Sequence, residues 1–205
     1  FYNDYENQQV TVGRIVNGQP TADLINAKEA AIAGVEVDVL AQLTDSLSLS
    51  MSAGYLAGDY KQFTIDDNVT DPITLEESIV VRDLSGVEFG SDGSEKSFDI
   101  SLLHTYSMGN RGDLTSSLGY SFQDDQYYTL MNTPSSFEPS YWLLDGRITW
   151  NLANGETRVS LWGTNLTDEE YVDTMIDQSG DIAVGGIDPS LGMTAVYWGS
   201  PRRVG

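Results

Sequence analysis

The stretch Leu47-Ser48-Leu49-Ser50-Met51-Ser52-Ala53-Gly54-Tyr55 puts an apolar residue at every odd position and a serine or glycine at every even one. Successive side chains of an extended chain point to opposite faces, so this is a β-strand with one apolar and one polar face. Apolar residues three and four apart, the mark of an amphipathic helix, are hard to find anywhere in the chain. Outward from this stretch the same period recurs. Val35, Val37 and Val39 alternate with Gly34, Glu36 and Asp38, and Phe98, Ile100 and Leu102 alternate with Asp99 and Ser101. Leu114, Leu118, Tyr120 and Phe122 alternate with Thr115, Ser117, Gly119 and Ser121. From Trp142 the apolar face is Leu144, Ile148, Trp150 and Leu152, and the polar face is Tyr141, Asp145, Arg147, Thr149 and Asn151. Val159 and Leu161 continue the theme, and a last strand is expected within residues 195–205. With the aromatic-rich residues 1–12, whose two faces differ little, the pattern predicts eight strands and an all-β fold.

The connections alternate strictly between short and long. Leu43-Thr44-Asp45-Ser46, Gly109-Asn110-Arg111-Gly112-Asp113 and Ala153-Asn154-Gly155-Glu156 carry the Asn, Asp and Gly residues of tight hairpins. Residues 13–29, 59–95, 123–140 and 168–194 read as long loops. Tight turns on one rim and long loops on the other describe an antiparallel up-and-down transmembrane β-barrel of the bacterial outer membrane. The aromatic positions agree. Trp142 and Trp150 lie eight residues apart on one face, on the order of 26 Å along a strand. At a tilt of ~40° that is about 20 Å of height, enough to bring each ring near one of the two girdles bounding a ~25 Å apolar band. A soluble β-sandwich also alternates, but its strands are usually ~5–6 residues long, against ~9–11 for a tilted membrane crossing.

Composition narrows the function. Ten Lys and Arg against 31 Asp and Glu give a formal charge of −21 in 205 residues, which repels phosphate backbones and argues against nucleic-acid binding. The charge is concentrated: residues 59–95 hold ten acids against Lys61 and Arg82, and this run reads as a solvated surface. With no Cys, thiol catalysis and zinc–thiolate sites are excluded. The single histidine, His104, has no second His and no G-x-S-x-G to work with, so it reads as an interface-facing residue near the periplasmic rim. Asp177-Gln178-Ser179-Gly180-Asp181 lacks the third acid and terminal Glu of a calcium loop. No enzyme activity, resident metal or cofactor is expected.

Three stretches add a resemblance. Asn26-Ala27-Lys28-Glu29-Ala30-Ala31-Ile32-Ala33-Gly34-Val35-Glu36-Val37-Asp38 is followed by a turn and the 47–55 strand. Val159-Ser160-Leu161-Trp162-Gly163-Thr164 runs into Asn165-Leu166-Thr167-Asp168-Glu169-Glu170-Tyr171. Gly199-Ser200-Pro201-Arg202-Arg203-Val204-Gly205 closes the chain. In this order and spacing they resemble strands of the C-terminal barrel of TonB-dependent outer-membrane receptors, siderophore-receptor type. Asn165, Leu166, Thr167, Asp168, Tyr171, Gly199, Pro201 and Arg202 match the motif positions. The resemblance implies that residues 1–205 are about the last eight strands of a barrel of about 22. It also implies a plug domain and earlier strands that the sequence does not show, so the chain is expected to be cut at both ends.

By the same resemblance, the polar phase of the strands faces the barrel interior. Glu36, Asp38, Asp145, Arg147, Arg158 and Trp162 then meet the plug or line the solute path. The implied function is active uptake of a large, scarce solute, foremost a ferric siderophore. The implied partners are outer-membrane lipid, the TonB–ExbB–ExbD energy-coupling complex acting through the plug, and the solute itself, with the complete receptor a monomer. The competing readings are a self-contained eight-stranded outer-membrane barrel with a structural or adhesion role, and a secreted β-sandwich that binds carbohydrate. Closing eight strands would leave an interior only wide enough for side chains. Glu36, Asp38, Asp145, Arg147 and Arg158 would then have to pair closely within it.

Overall fold

The computed structural model describes residues 1–16, 19–70, 73, 74, 76–87, 95–130, 132–178 and 193–205. In chain order the strands are β1 (Tyr2–Val16), β2 (Gln19–Thr44), β3 (Leu47–Gln62), β4 (Thr64–Thr70), β5 (Glu77–Asp83), β6 (Lys96–Ser107), β7 (Asp113–Gln123), β8 (Gln126–Tyr127), β9 (Phe137–Glu138), β10 (Tyr141–Asn151), β11 (Arg158–Thr164), β12 (Val172–Gln178), β13 (Met193–Trp198) and β14 (Arg203–Val204). The helical elements among the described residues are the 3₁₀ turns Gly109–Arg111 and Pro134–Ser136. One antiparallel sheet runs β1-β2-β3-β6-β7-β10-β11-β14, with β1 and β14 as its edges. The pairs β4–β5, β8–β9 and β12–β13 form separate ribbons within the long connections.

The cross-strand register carries the alternation from strand to strand. Leu49, Leu102, Leu118, Gly146 and Gly163 are successive partners across β3, β6, β7, β10 and β11. One residue along, Ser50, Ser101, Gly119 and Asp145 form the neighbouring row, so it points to the opposite face. A strand slipped by one residue would bring serines into the apolar row. The apolar face is uncovered: Leu118 and Ile148 are each 48% exposed and Leu161 is 67% exposed. Water does not tolerate so extended an apolar surface, whereas hydrocarbon does. Aromatic rings mark both ends of this face. Phe98 stacks on Phe122 at 5.2 Å and Tyr120 meets Trp142 at 5.7 Å toward the long connections. Tyr106, Leu114 and Trp150 form the corresponding row beside the short turns.

Adjacent short turns touch. Gly112 has φ +97°, and a Cβ there would collide with the Asn151 carbonyl at the end of β10. The Trp150 indole Nε1 donates to the Arg111 carbonyl at 2.9 Å. The small buried core lies at the other end of the sheet. Tyr60, opposite Ala30, packs with Phe63, Ile65, Leu84 and Ala27 where the β4–β5 ribbon folds back.

Four expectations about the connections change. Residues 13–29 are not a loop, because β1 and β2 stay paired up to Val16 and Gln19. A ladder needs only backbone N–H and C=O groups, and the weak contrast between side-chain faces concealed it. Residues 59–95 are partly ordered as the end of β3 and the β4–β5 ribbon, and residues 123–140 hold β8 and β9. Residues 168–194 begin the β12–β13 ribbon, and the calcium-like stretch at 179–181 lies outside the described residues. The single last strand expected within 195–205 is two elements. Met193–Trp198 pairs with β12, and only Arg203–Val204 joins the sheet. Pro201 lies between them and has no N–H to give a ladder.

In the assembled barrel, Leu118→Arg or Ile148→Arg is expected to cost about 2–4 kcal/mol and impair assembly, as a charge near the bilayer midplane does. Thr149→Arg, on the polar face, is expected to be tolerated. Heat-modifiability on gels is the measurement, and equal tolerance of all three would show that the apolar face does not meet lipid.

Candidate functional site

All six residues predicted for the interior lie on the polar face. Glu36 and Asp38 stand on β2 opposite Gly54 and Ser52, and the Ser52 hydroxyl donates to Asp38 Oδ1 at 2.7 Å. Arg147 on β10 is directly opposite Trp162 on β11. Asp145 Oδ1 accepts the Asn165 backbone N–H at 2.8 Å, and Arg158 Nε donates to Asn151 Oδ1 at 2.9 Å. The structure does not gather these six into one site. The acids of β2 lie four strand spacings from β10 in the sheet order, on the order of 19 Å. Glu36, Asp38 and Asp99 lie toward one side of the face, and Arg147, Arg158 and Arg203 lie toward the other together with Asp113 and Asp145. Between them lie hydroxyls: Ser50, Ser101, Ser117 and Ser121 occupy successive polar-face positions, and Thr149 and Ser160 are bonded at 3.0 Å. Such a face can hydrate ions and exchange hydrogen bonds with a sliding or docked partner. Among the described residues no three of His, Asp and Glu converge to hold a metal ion.

The motif residues form a knot. Asn165 is 4% exposed and adopts φ +48°, a conformation that Asn tolerates better than most residues. Its side-chain nitrogen donates to the carbonyls of Glu169 at 2.8 Å and Ser200 at 3.1 Å, and its Oδ1 accepts the Glu169 N–H at 2.9 Å. Asp168 Oδ1 accepts the Arg202 N–H at 3.2 Å, and its other oxygen lies 3.1 Å from the Arg202 guanidinium. Leu166 fills the space that a Cβ on Gly163 would need, and Thr167 and Pro201 are exposed. Gly199 lies flat against the Tyr171 ring, where a side chain would collide. The two motif stretches, distant in sequence, thus clamp the start of β14 to the end of β11.

A cluster that the sequence did not reveal adjoins the knot. Tyr171 stacks on Tyr141 at 4.6 Å, the Tyr128 hydroxyl donates to the Val172 carbonyl at 2.7 Å, and buried Glu138 accepts the Val172 N–H at 2.8 Å. Burial pushes the Tyr128 hydroxyl above its ordinary pKa. These residues come from three separate stretches of chain, so no local pattern could have linked them.

Asn165→Ala is expected to strip partners from three part-buried backbone groups, at a total cost of about 1–3 kcal/mol because water reaches some of them. Denaturant titration of the full-length protein should show this loss, with Asn165→Asp intermediate because it keeps the acceptor. An alanine variant as stable as the parent would deny Asn165 this role.

The family model for TonB dependent receptor-like β-barrels matches residues 1–166. Among solved structures, the ferric yersiniabactin uptake receptor FyuA from Yersinia pestis is similar over 99% of this chain and 25% of its own, with TM-score 0.67 and 14% identity. FpvAI in its complex with pyocin S2 is similar over 99% of this chain and 23% of its own, with TM-score 0.59 and 15% identity. P. aeruginosa FpvA in its complex with a heterologous pyoverdine and iron gives TM-score 0.57 at 14% identity, over 99% of this chain and 23% of its own. The chain therefore spans about a quarter of the length of the structures it matches. No curated protein matches by sequence.

Proposed function

This chain belongs to the TonB-dependent receptor β-barrel family, and from that membership we propose that residues 1–205 are the C-terminal barrel segment of an outer-membrane uptake receptor. In this reading a longer polypeptide supplies the plug and the earlier strands. The observation that carries it is the open eight-stranded sheet, with short turns at one rim and long connections at the other, which matches a quarter of a receptor's chain over 99% of its own length. A self-contained eight-stranded barrel would pair β1 with β14, whereas here both are edges. Hydrocarbon does not tolerate unpaired strand edges, which supports their pairing with further strands.

The solute is a large, scarce one, foremost a ferric siderophore. The structural likeness to FyuA, a ferric yersiniabactin uptake receptor, and to FpvA bound to a pyoverdine with iron supports this class. Energy comes from the TonB–ExbB–ExbD complex through the plug, and the reading contains no catalytic step. Glu36, Asp38, Asp145, Arg147, Arg158 and Trp162 face the interior. There they meet the plug or line the solute path.

Iron-starved cells that express the full-length receptor should accumulate radiolabelled ferric siderophore only when TonB is active. Uptake that persists without TonB, or none of any siderophore tried, would remove the transport reading. The chain has no cysteine, so single cysteines report topology cleanly. A cysteine at Asp66 should react with an impermeant maleimide in whole cells, and one at Asn110 or Asn154 should not. Labelling at all three would contradict the assignment of the two rims.

A further inference from the structure

Between its two aromatic rows, the apolar face of β6, β7 and β10 has one polar interruption. His104 on β6 and Ser116 on β7 lie directly opposite each other, between Leu47 on β3 and Ile148 on β10. Their row is one step inside the Tyr106–Leu114–Trp150 row at the short-turn rim. One step further toward mid-sheet, Gly146 and Gly163 are partners across β10 and β11, Leu166 is seated against both, and the three border a trough on this face. The trough has a volume of about 560 Å³, its walls include Leu118, Leu161, Leu166 and Val204, and His104 and Ser116 line its rim end. The tip of the same β6–β7 hairpin carries Arg111, which is exposed and forms no ion pair among the described residues. Trp150 holds the Arg111 carbonyl and fixes the backbone there. The turn begins four residues beyond His104, on the order of 13 Å along the strand, and an arginine side chain reaching back closes part of that gap.

The geometry points to a binding site for one phospholipid of the leaflet at the short-turn rim. The acyl chain lies in the glycine trough, the glycerol esters accept hydrogen bonds from Ser116 and His104, and the phosphate meets Arg111. An apolar trough, then two hydrogen-bonding side chains, then an unpaired cation is the order in which a phospholipid presents its own parts. Hydrocarbon alone calls for neither His104 nor Ser116 on this face. Most acids of this chain lie in the long connections, and the short-turn rim holds Asp45, Asp113 and Glu156 beside Arg111. The inference rests on the membrane reading above.

The test is native mass spectrometry of the full-length receptor in mild detergent with added dioleoyl phosphatidylglycerol or dioleoyl phosphatidylethanolamine. One phospholipid is expected to survive activation that strips the rest. Retention should fall roughly tenfold in a His104→Leu, Ser116→Val double variant and in Arg111→Gln, the scale of one charge-assisted contact. The double variant makes a lipid-facing surface more apolar, so the barrel should persist, and heat-modifiable migration of the same samples reports it. Equal retention in all forms, displacement by inorganic phosphate, or lipopolysaccharide held in place of phospholipid would overturn the site. A heat-modifiable wild type that keeps no lipid removes this site alone. A wild type without heat-modifiable migration removes the membrane reading along with it.

Discussion

A β-strand crossing hydrocarbon has no water to bond with, so each backbone N–H and C=O must find its partner on a neighbouring strand. That constraint fixes the pairing of adjacent strands, and the pairing fixes the faces. Once Leu49 is opposite Leu102 and Leu102 opposite Leu118, the residues between them have no choice of side. Serine and aspartate then fall together on one surface, and leucine, isoleucine and tryptophan on the other. The aromatic rows and the gathering of acids and arginines on the polar face follow from the same register. Packing in the usual sense contributes little, because the buried core is a small cluster at one end of the sheet.

At β14, side chains add to the ladder. Its residues pair with Gly163 and Thr164 of β11, and Gly205 exchanges two backbone hydrogen bonds with Trp162. Asn165 and Asp168 reinforce this attachment, reaching across to the Ser200 carbonyl and to Arg202. The motif that resembles the receptor family is therefore first of all a structural fastening. It needs a residue that tolerates a left-handed backbone and offers both donors and an acceptor, and asparagine meets both needs.

Strand parity was the most legible feature of the sequence. It placed Glu36, Asp38, Asp145, Arg147, Arg158 and Trp162 on one face, because a period of two survives any uncertainty about strand ends. The pairing of residues 13–16 with 19–22 was not legible, since backbone bonding leaves no trace in side chains that show no alternation. The split at Pro201 was written in the sequence as a missing donor and was outweighed by apolar residues on its N-terminal side. The contact of Tyr141 with Tyr171, and of Asn165 with Ser200, joins residues about thirty or more positions apart. No sequence window holds both partners.

The touching turns at the short rim bear on how the sheet is put together. Gly112, having no Cβ, lets the end of β10 approach closely, and the Arg111 carbonyl receives its proton donor from Trp150, 39 residues later in the chain. The β6–β7 hairpin therefore cannot complete its own tip, and its last hydrogen bonds form only when the next strand arrives. This hairpin acts as a gauge for its successor: a strand docked out of step loses the close fit at Gly112 and leaves the Arg111 carbonyl without its donor. Long-range contacts of this kind slow folding, because loop closure precedes any gain from the contact. In return they make a misregistered sheet less stable at the place where it would first be joined.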